Sequence, residues 1–162
     1  MASARQPRML EPGARAPEFE LAGLSGGARS LQSLASGSGV VLAFFKVSCP
    51  TCQFTLPFLE RMNHGGKIPI YAVSQDDAEP TREFHLEFGI TLPTLLDTEE
   101  RGYPASNGYG ISHVPSLFLV EPDGRVSWTS TGFRKRDLEE LGHKLGVTPF
   151  RRGESVPESK SG

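Results

Sequence analysis

Residues 40–54 read Val-Val-Leu-Ala-Phe-Phe-Lys-Val-Ser-Cys-Pro-Thr-Cys-Gln-Phe, and the order of residue types in this stretch decides the fold. Val40 to Phe45 is an unbroken apolar run of strand formers with no polar alternation, the pattern of a strand buried on both faces of a sheet. It leads straight into Cys49-Pro50-Thr51-Cys52. Proline suits the first turn of a helix, where its missing N–H has no intrahelical partner. Phe54, Leu56, Phe58, Leu59 and Met62 then recur at helical spacing until Gly65-Gly66. Cys49 is therefore expected at a helix N-terminus, where unpaired backbone N–H groups and the positive end of the helix dipole favour a thiolate. Cys52, one turn on, faces the same side and is expected to be the more buried thiol that resolves a mixed disulfide.

Working outward, Glu18-Phe-Glu-Leu21 alternates like a short strand, Gly23 through Gly27 forms a turn, and Leu31 to Leu34 is a short amphipathic segment. On the other side, Lys67 to Ser74 reads as a second strand and Glu79 to Phe88 as a second helix, opened by Pro80 and closed by Gly89. Strand, helix, strand, helix implies parallel pairing. Thr94 to Leu96 is a weak extra strand, and the coarse order allows a helix after it to which no bounds are given. Ser116–Val120 and Arg125–Thr129 flank Pro122-Asp123-Gly124 as an antiparallel hairpin, and a helix from about Lys135 to Leu145 ends the pattern. Val114-Pro115, directly before a strand, suits a tight X-Pro turn that is either cis or trans. The fold class is α/β. Residues 1–15 and 147–162 lack periodicity and read as flexible tails around a domain of residues 16–146.

A chain of 162 residues, 37% hydrophobic and 22% charged, is sized for one folded domain. Seventeen Lys and Arg against nineteen Asp and Glu give a net charge of −2, which offers no general attraction to nucleic acid or to an anionic membrane. The first ten residues hold no apolar signal region, and Val40–Phe45 is too short to span a bilayer as a helix, so a cytoplasmic location is expected. In a reducing compartment a close cysteine pair points to redox catalysis or metal binding rather than to a structural bridge.

These residues resemble the thioredoxin superfamily. Within it they are most similar to the bacterial redoxin branch, which joins alkyl hydroperoxide reductase/thiol-specific antioxidant proteins with cytochrome-maturation thiol reductases. The resemblance rests on Gly13-Ala-Arg-Ala-Pro-Glu-Phe-Glu-Leu21, on Phe44 to Cys52, on Pro57 within the helix, and on Tyr109-Gly-Ile-Ser-His-Val-Pro115 through Gly124. It implies a thioredoxin-like mixed sheet with a central insertion and Cys49 and Cys52 as the catalytic pair. It also implies a cis Pro115 lying against the Cys49 sulfur, and a Val114 backbone that pairs with a bound polypeptide. Ser48, Pro50 and Thr51 complete the expected substrate-facing surface. No cofactor beyond a Cys49–Cys52 disulfide and no resident metal are expected. The partners are protein or small-molecule disulfides and an electron donor or acceptor.

Departures from the family pattern narrow this expectation. Ser48 stands where the family usually has Trp, Ala43 where thioredoxin has a buried acid, and Thr55 where cytochrome-maturation members have Glu, so no base for Cys52 is evident. Lys46 is a candidate for lowering the Cys49 pKa, with a solvated charge as the alternative. The peroxiredoxin motif P-x-x-x-T-x-x-C fails in both registers, since Leu42 and Lys46, or Phe45 and Cys49, occupy its Pro and Thr positions. A peroxiredoxin-like peroxidase is thus a rival reading, as is a copper or zinc module using Cys49, Cys52 and His113, or an interaction domain with vestigial cysteines. Trp128 and Phe133 read as packing, Arg134 to Arg136 as a solvated helix start, and Asp76-Asp77 as a loop pair with no assigned partner.

Overall fold

A computed structural model describes residues 8–162. The apolar run forms strand β3 (Val40–Phe45), all six residues of which are fully buried. Side chains alternate across a strand, and here the two sets enter two different cores. Val41, Ala43 and Phe45 face a cluster with Leu56, Leu59, Met62, Phe84 and Leu141, while Val40, Leu42 and Phe44 face one with Phe19, Leu31, Tyr109 and Phe118.

The chain runs β1 (Glu20–Gly23), β2 (Ala28–Ser30), α1 (Leu31–Ala35), β3, α2 (Pro50–Asn63), β4 (Ile70–Ser74), α3 (Ala78–Phe88), β5 (Thr94–Leu96), a 3-10 turn (Glu99–Arg101) and α4 (Pro104–Gly108). It continues through β6 (Ser116–Val120), β7 (Val126–Thr131), β8 (Phe133–Arg134), α5 (Lys135–Leu145) and β9 (Ser159–Lys160). Seven strands make one mixed sheet in the order β2-β1-β5-β4-β3-β6-β7. β3 pairs parallel with β4 and antiparallel with β6, in the register Ala43↔Ala72 and Ala43↔Leu117. The weak strand at Thr94–Leu96 is real and joins β4 to β1. No helix among the described residues is long and apolar enough to cross a membrane.

Among the short elements, one is left without bounds by the sequence and another without any expectation. The short helix α4 carries no apolar period; its start is organised by the fully buried Asp97, whose carboxylate accepts Ala105 N–H at 3.0 Å, Ser106 N–H at 2.7 Å and the Ser106 hydroxyl at 2.6 Å. Strand β2 lies between the expected turn and the amphipathic segment, where no element is expected, and pairs with β1 from Glu20↔Ser30 to Ala22↔Ala28.

The largest correction concerns the ends. Residues 147–162, read as a flexible tail, pack onto the domain. Phe150 stacks edge-on against Phe58 at 5.1 Å, Val156 packs on the core, and Glu154 meets Arg61 through two hydrogen bonds of 2.8 Å. Beyond them β9 pairs antiparallel with β8. A single aromatic, one ion pair and a two-residue strand leave no periodic signature, which is why the segment resembles a tail in sequence. On the N-terminal side, residues 1–7 lie outside the described residues, while Leu10 and Gly13 donate backbone bonds to Tyr109 and Val126.

Replacing Asp97 by Ala strips two backbone N–H groups and a hydroxyl of their acceptor, and should lower stability by roughly 2–3 kcal/mol in denaturant unfolding. The guanidinium of Arg61, together with the Arg151 N–H, holds Glu154 at about 2 against an ordinary 4.5. The contribution of this pair is therefore complete above the ordinary glutamate value and lost as pH falls towards about 2. Amide shifts of Arg151 and Glu154, followed by NMR on acidification, should move in that window and not at higher pH.

Candidate active site

β3 is clamped by a neighbour on each side, so its end has a fixed position, and Lys46, Val47 and Ser48 make the turn into α2. Two side chains hold that turn. The Asp76 carboxylate, just beyond β4, accepts Val47 N–H at 2.8 Å, and Gln53 Nε2 donates to the Val47 carbonyl at 2.9 Å. Neither role is legible in sequence, because each partner is a backbone group of another segment; the only signal is a carboxylate at the end of a strand adjacent to β3.

Cys49 is the cap residue of α2, extended at φ −85° and ψ 114°, and its sulfur accepts the Cys52 N–H at 3.1 Å. Sulfur thus takes the place of the oxygen in an ordinary Ser or Asp cap, a position that favours negative charge. On its other side the Cys49 thiol donates to the Val114 carbonyl at 3.5 Å. Only the first of these contacts survives ionisation, since a thiolate accepts but cannot donate.

Cys52 is fully buried while Cys49 is half-buried. Burial, first of all, pushes the Cys52 thiol far above the ordinary range; its hydrogen bond to the Cys49 sulfur and the negative charge of Asp76 act in the same direction, and a backbone hydrogen bond at Lys46 opposes them. The two thiols are therefore unequal: one stands at a helix start beside solvent, the other is held protonated beneath it. The two positions at which the family resemblance implies an acid are apolar or already paired here. Ala43 is buried in β3, and the Thr55 hydroxyl donates to the Thr51 carbonyl at 2.7 Å.

The Val114–Pro115 bond is cis, Pro115 is buried and Val114 half-buried, and the Val114 carbonyl lies at the Cys49 sulfur. Ser116 Oγ fixes this loop by donating to the His113 carbonyl at 2.6 Å, and Gly132 N–H donates to the Pro115 carbonyl at 2.8 Å. Ser48 and Pro50 are exposed on the rim. Thr51 is buried, and its hydroxyl donates at 2.6 Å to the carbonyl of Ser161, a residue that sequence reasoning leaves in a tail. Lys46 is exposed; its carbonyl accepts the Cys49 N–H at 3.2 Å, but its ammonium makes no hydrogen bond to Cys49. It lines an open cleft of about 400 Å³ together with Gln75, Tyr103, Ser106, Ser112 and Val114. The wall of that cleft is braced by Gln75 Nε2 donating to Ser106 Oγ at 2.9 Å, and through Ser106 by Asp97.

His113 is exposed, with Nδ1 at 2.9 Å from Ser112 Oγ. Among the described residues no three His, Cys, Asp or Glu side chains converge as a metal ligand set.

The profile of the AhpC/TSA family matches residues 12–129, which include both cysteines, the cis-proline loop and the hairpin turn. The chain is 30% identical over 142 residues to the thiol-disulfide oxidoreductase ResA of Geobacillus kaustophilus, covering 85% of this chain and 78% of that protein. It is 28% identical over 147 residues to ResA of Geobacillus thermodenitrificans, with the same coverage. Among solved structures, a thiol:disulfide interchange protein from Bacteroides sp. superposes with a TM-score of 0.73 at 25% identity, covering 84% of this chain and 90% of that one. An unequal thiol pair at a helix start beside a cis-proline, and likeness along nearly the whole domain, lead to one assignment: the chain belongs to the AhpC/TSA family, on the thioredoxin-like fold, and is a thiol–disulfide oxidoreductase.

Proposed function

We propose that the Cys49-Pro50-Thr51-Cys52 segment is the redox centre and that it reduces or exchanges disulfides through a mixed-disulfide intermediate. The observation that carries this reading is the placement of the Cys49 sulfur between the Cys52 N–H and the Val114 carbonyl, with the protonated Cys52 thiol within hydrogen-bonding reach of it.

The steps follow from that geometry. Cys49, as thiolate at the helix start, attacks one sulfur of a substrate disulfide; a Cys49–substrate S–S bond forms and the other substrate sulfur leaves as a thiolate that takes up a proton. Once the Cys49 thiol is deprotonated it no longer donates to Val114, so that carbonyl is released to accept an N–H from a bound polypeptide. Cys52 then gives up its proton and attacks the Cys49 sulfur, expelling the second substrate thiol. The substrate gains two electrons and Cys49–Cys52 becomes the disulfide, which an external dithiol must reduce to complete the cycle. The redox equivalents reside in the cysteines alone, with no cofactor.

High protonation of Cys52 in the reduced state has a purpose in this cycle. A second thiolate beside Cys49 would repel the first, whereas a neutral thiol donates to it and stabilises it. Substrates are protein disulfides, a class in which polypeptide backbone can pair at Val114, with small disulfides as weaker alternatives. The direction of the reaction follows the surroundings: where the ambient thiol pool is reducing it returns electrons to the pair, and the pair then acts as a reductant. Peroxide reduction is the poorer reading: the positions that would carry the polarising Thr and the Pro of that chemistry hold Lys46 and Leu42 or Cys49 and Phe45, and Leu42 and Phe45 are sealed inside the sheet.

Titration of the reduced protein against a dithiol buffer should show one reversible two-electron couple that Cys49→Ser and Cys52→Ser each abolish; failure of Cys49 and Cys52 to form an intramolecular disulfide would remove the reading. Cys52→Ser should accumulate a covalent adduct with a polypeptide disulfide, visible by mass spectrometry and absent in Cys49→Ser. In the reduced wild-type protein, iodoacetamide should label Cys49 and leave Cys52 unmodified through the ordinary thiol range.

A further inference from the structure

The groove in which a polypeptide disulfide would have to lie is already filled by this chain's own residues. Strand β9 adds to the edge of β8 in the register Phe133↔Lys160 and Arg134↔Ser159, and Lys135 N–H donates to the Glu158 carbonyl at 2.9 Å. The segment then crosses the start of α2, where the Ser161 carbonyl takes the Thr51 hydroxyl. It ends with Gly162 packed against the Val114 carbonyl, the same oxygen that receives the Cys49 thiol. Two glycines make the crossing possible. Gly132, at φ +72°, lacks a Cβ that would stand 3.0 Å from the Lys160 carbonyl, and a Cβ on Gly162 would collide with the Val114 carbonyl. The Lys160 ammonium rests 4.8 Å from the centre of the Phe54 ring.

The segment divides into an anchor and a cover. Phe150, Glu154 and Val156 fasten it to the domain. From Pro157 to Gly162 every residue is exposed and none brings a large apolar side chain, so this part is held by backbone pairing, a single side-chain hydrogen bond and the Lys160 contact with the Phe54 ring. Such contacts open at little cost compared with a packed element. The mode of attachment is strand addition to a free edge, which is also how an extended polypeptide is bound.

We propose that residues 158–162 are an intramolecular cover of the polypeptide groove, which must lift from Thr51 and Val114 before a protein disulfide reaches Cys49, and which hinders small disulfides less because Cys49 is only half-buried beneath it. This rests on the redox reading of Cys49 and Cys52 and adds to it a regulation of access. A site competent only while the cover is lifted has an apparent affinity reduced by the lifted fraction, so a cover seated nine-tenths of the time weakens polypeptide binding about tenfold.

The test compares the full chain with a chain ending at Pro157 and with Gly162→Val, which keeps the whole chain but prevents seating against Val114. Folding is checked by circular dichroism and melting; should the shortened chain fail to fold, Gly162→Val alone carries the test. The measurements are kcat/KM for insulin, kcat/KM for hydroxyethyl disulfide, and the rate of Cys49 alkylation by a polymer-linked maleimide too bulky to reach it past a seated cover. Both variants should gain about tenfold on insulin and change less than about twofold on the small disulfide, with faster alkylation. Folded variants with an unchanged insulin rate, or with a lower one because the segment helps to hold substrate, would overturn the cover. If instead Cys49→Ser retains activity, the redox reading fails, and the alkylation rates still report whether the cover shields Cys49.

Discussion

Burial of β3 on both faces is the constraint from which the site is built. A strand with apolar side chains in two cores and a hydrogen-bonded neighbour on each side has no freedom to slide, because a shift by one residue would exchange the two sets of side chains between cores of different shape. Phe45 is thus a fixed point. From it the chain needs only the turn Lys46–Ser48, pinned by Asp76 and Gln53, to set the first residue of α2. The cis-proline loop is placed by the same strand, since β6, which it precedes, is the other neighbour of β3. Both halves of the site therefore hang from one buried strand.

The thiol pair shows how a single helical turn can give two cysteines opposite environments. Cys49 stands outside the first turn, where the free N–H groups of the helix converge; Cys52 stands inside it, beneath the surface, where charge is penalised. No acidic side chain is needed beside them to create the difference. Asp76, which supplies the nearest structural role for a carboxylate, works on the backbone of the turn and adds to the penalty against a Cys52 thiolate.

What the sequence discloses and what it conceals divide along the same physical line. The apolar run, the Cys-Pro-Thr-Cys start, the periodic faces of α2 and α5 and the hairpin turn are local patterns, and each appears where its residues imply. The Val114 carbonyl lies at the Cys49 sulfur, a neighbourhood that the family resemblance implies and that no local pattern discloses, because it is made by the antiparallel pairing of β6 with β3. The elements that were not legible are those whose cause is distant: α4 is organised by Asp97 from another segment, Asp76 acts on a backbone N–H 29 positions away, and Thr51 meets Ser161 across 110 positions. Lys46 illustrates the converse. Its type and position suggest influence on the thiol, but its side chain lines the neighbouring cleft, with no hydrogen bond to Cys49.

The anchoring of residues 150–156 has a consequence for competition. Because Phe150 and Glu154 hold the chain a few residues upstream of the groove, the residues that follow are tethered beside it, and a short tether presents its end at an effective concentration on the order of millimolar. An incoming polypeptide contends with that local concentration, whatever the bulk dilution of the protein. The anchor thereby sets a threshold: chains that bind the groove only weakly are outcompeted before their sulfur chemistry begins, and selection among protein disulfides is made on backbone fit as well as on redox potential.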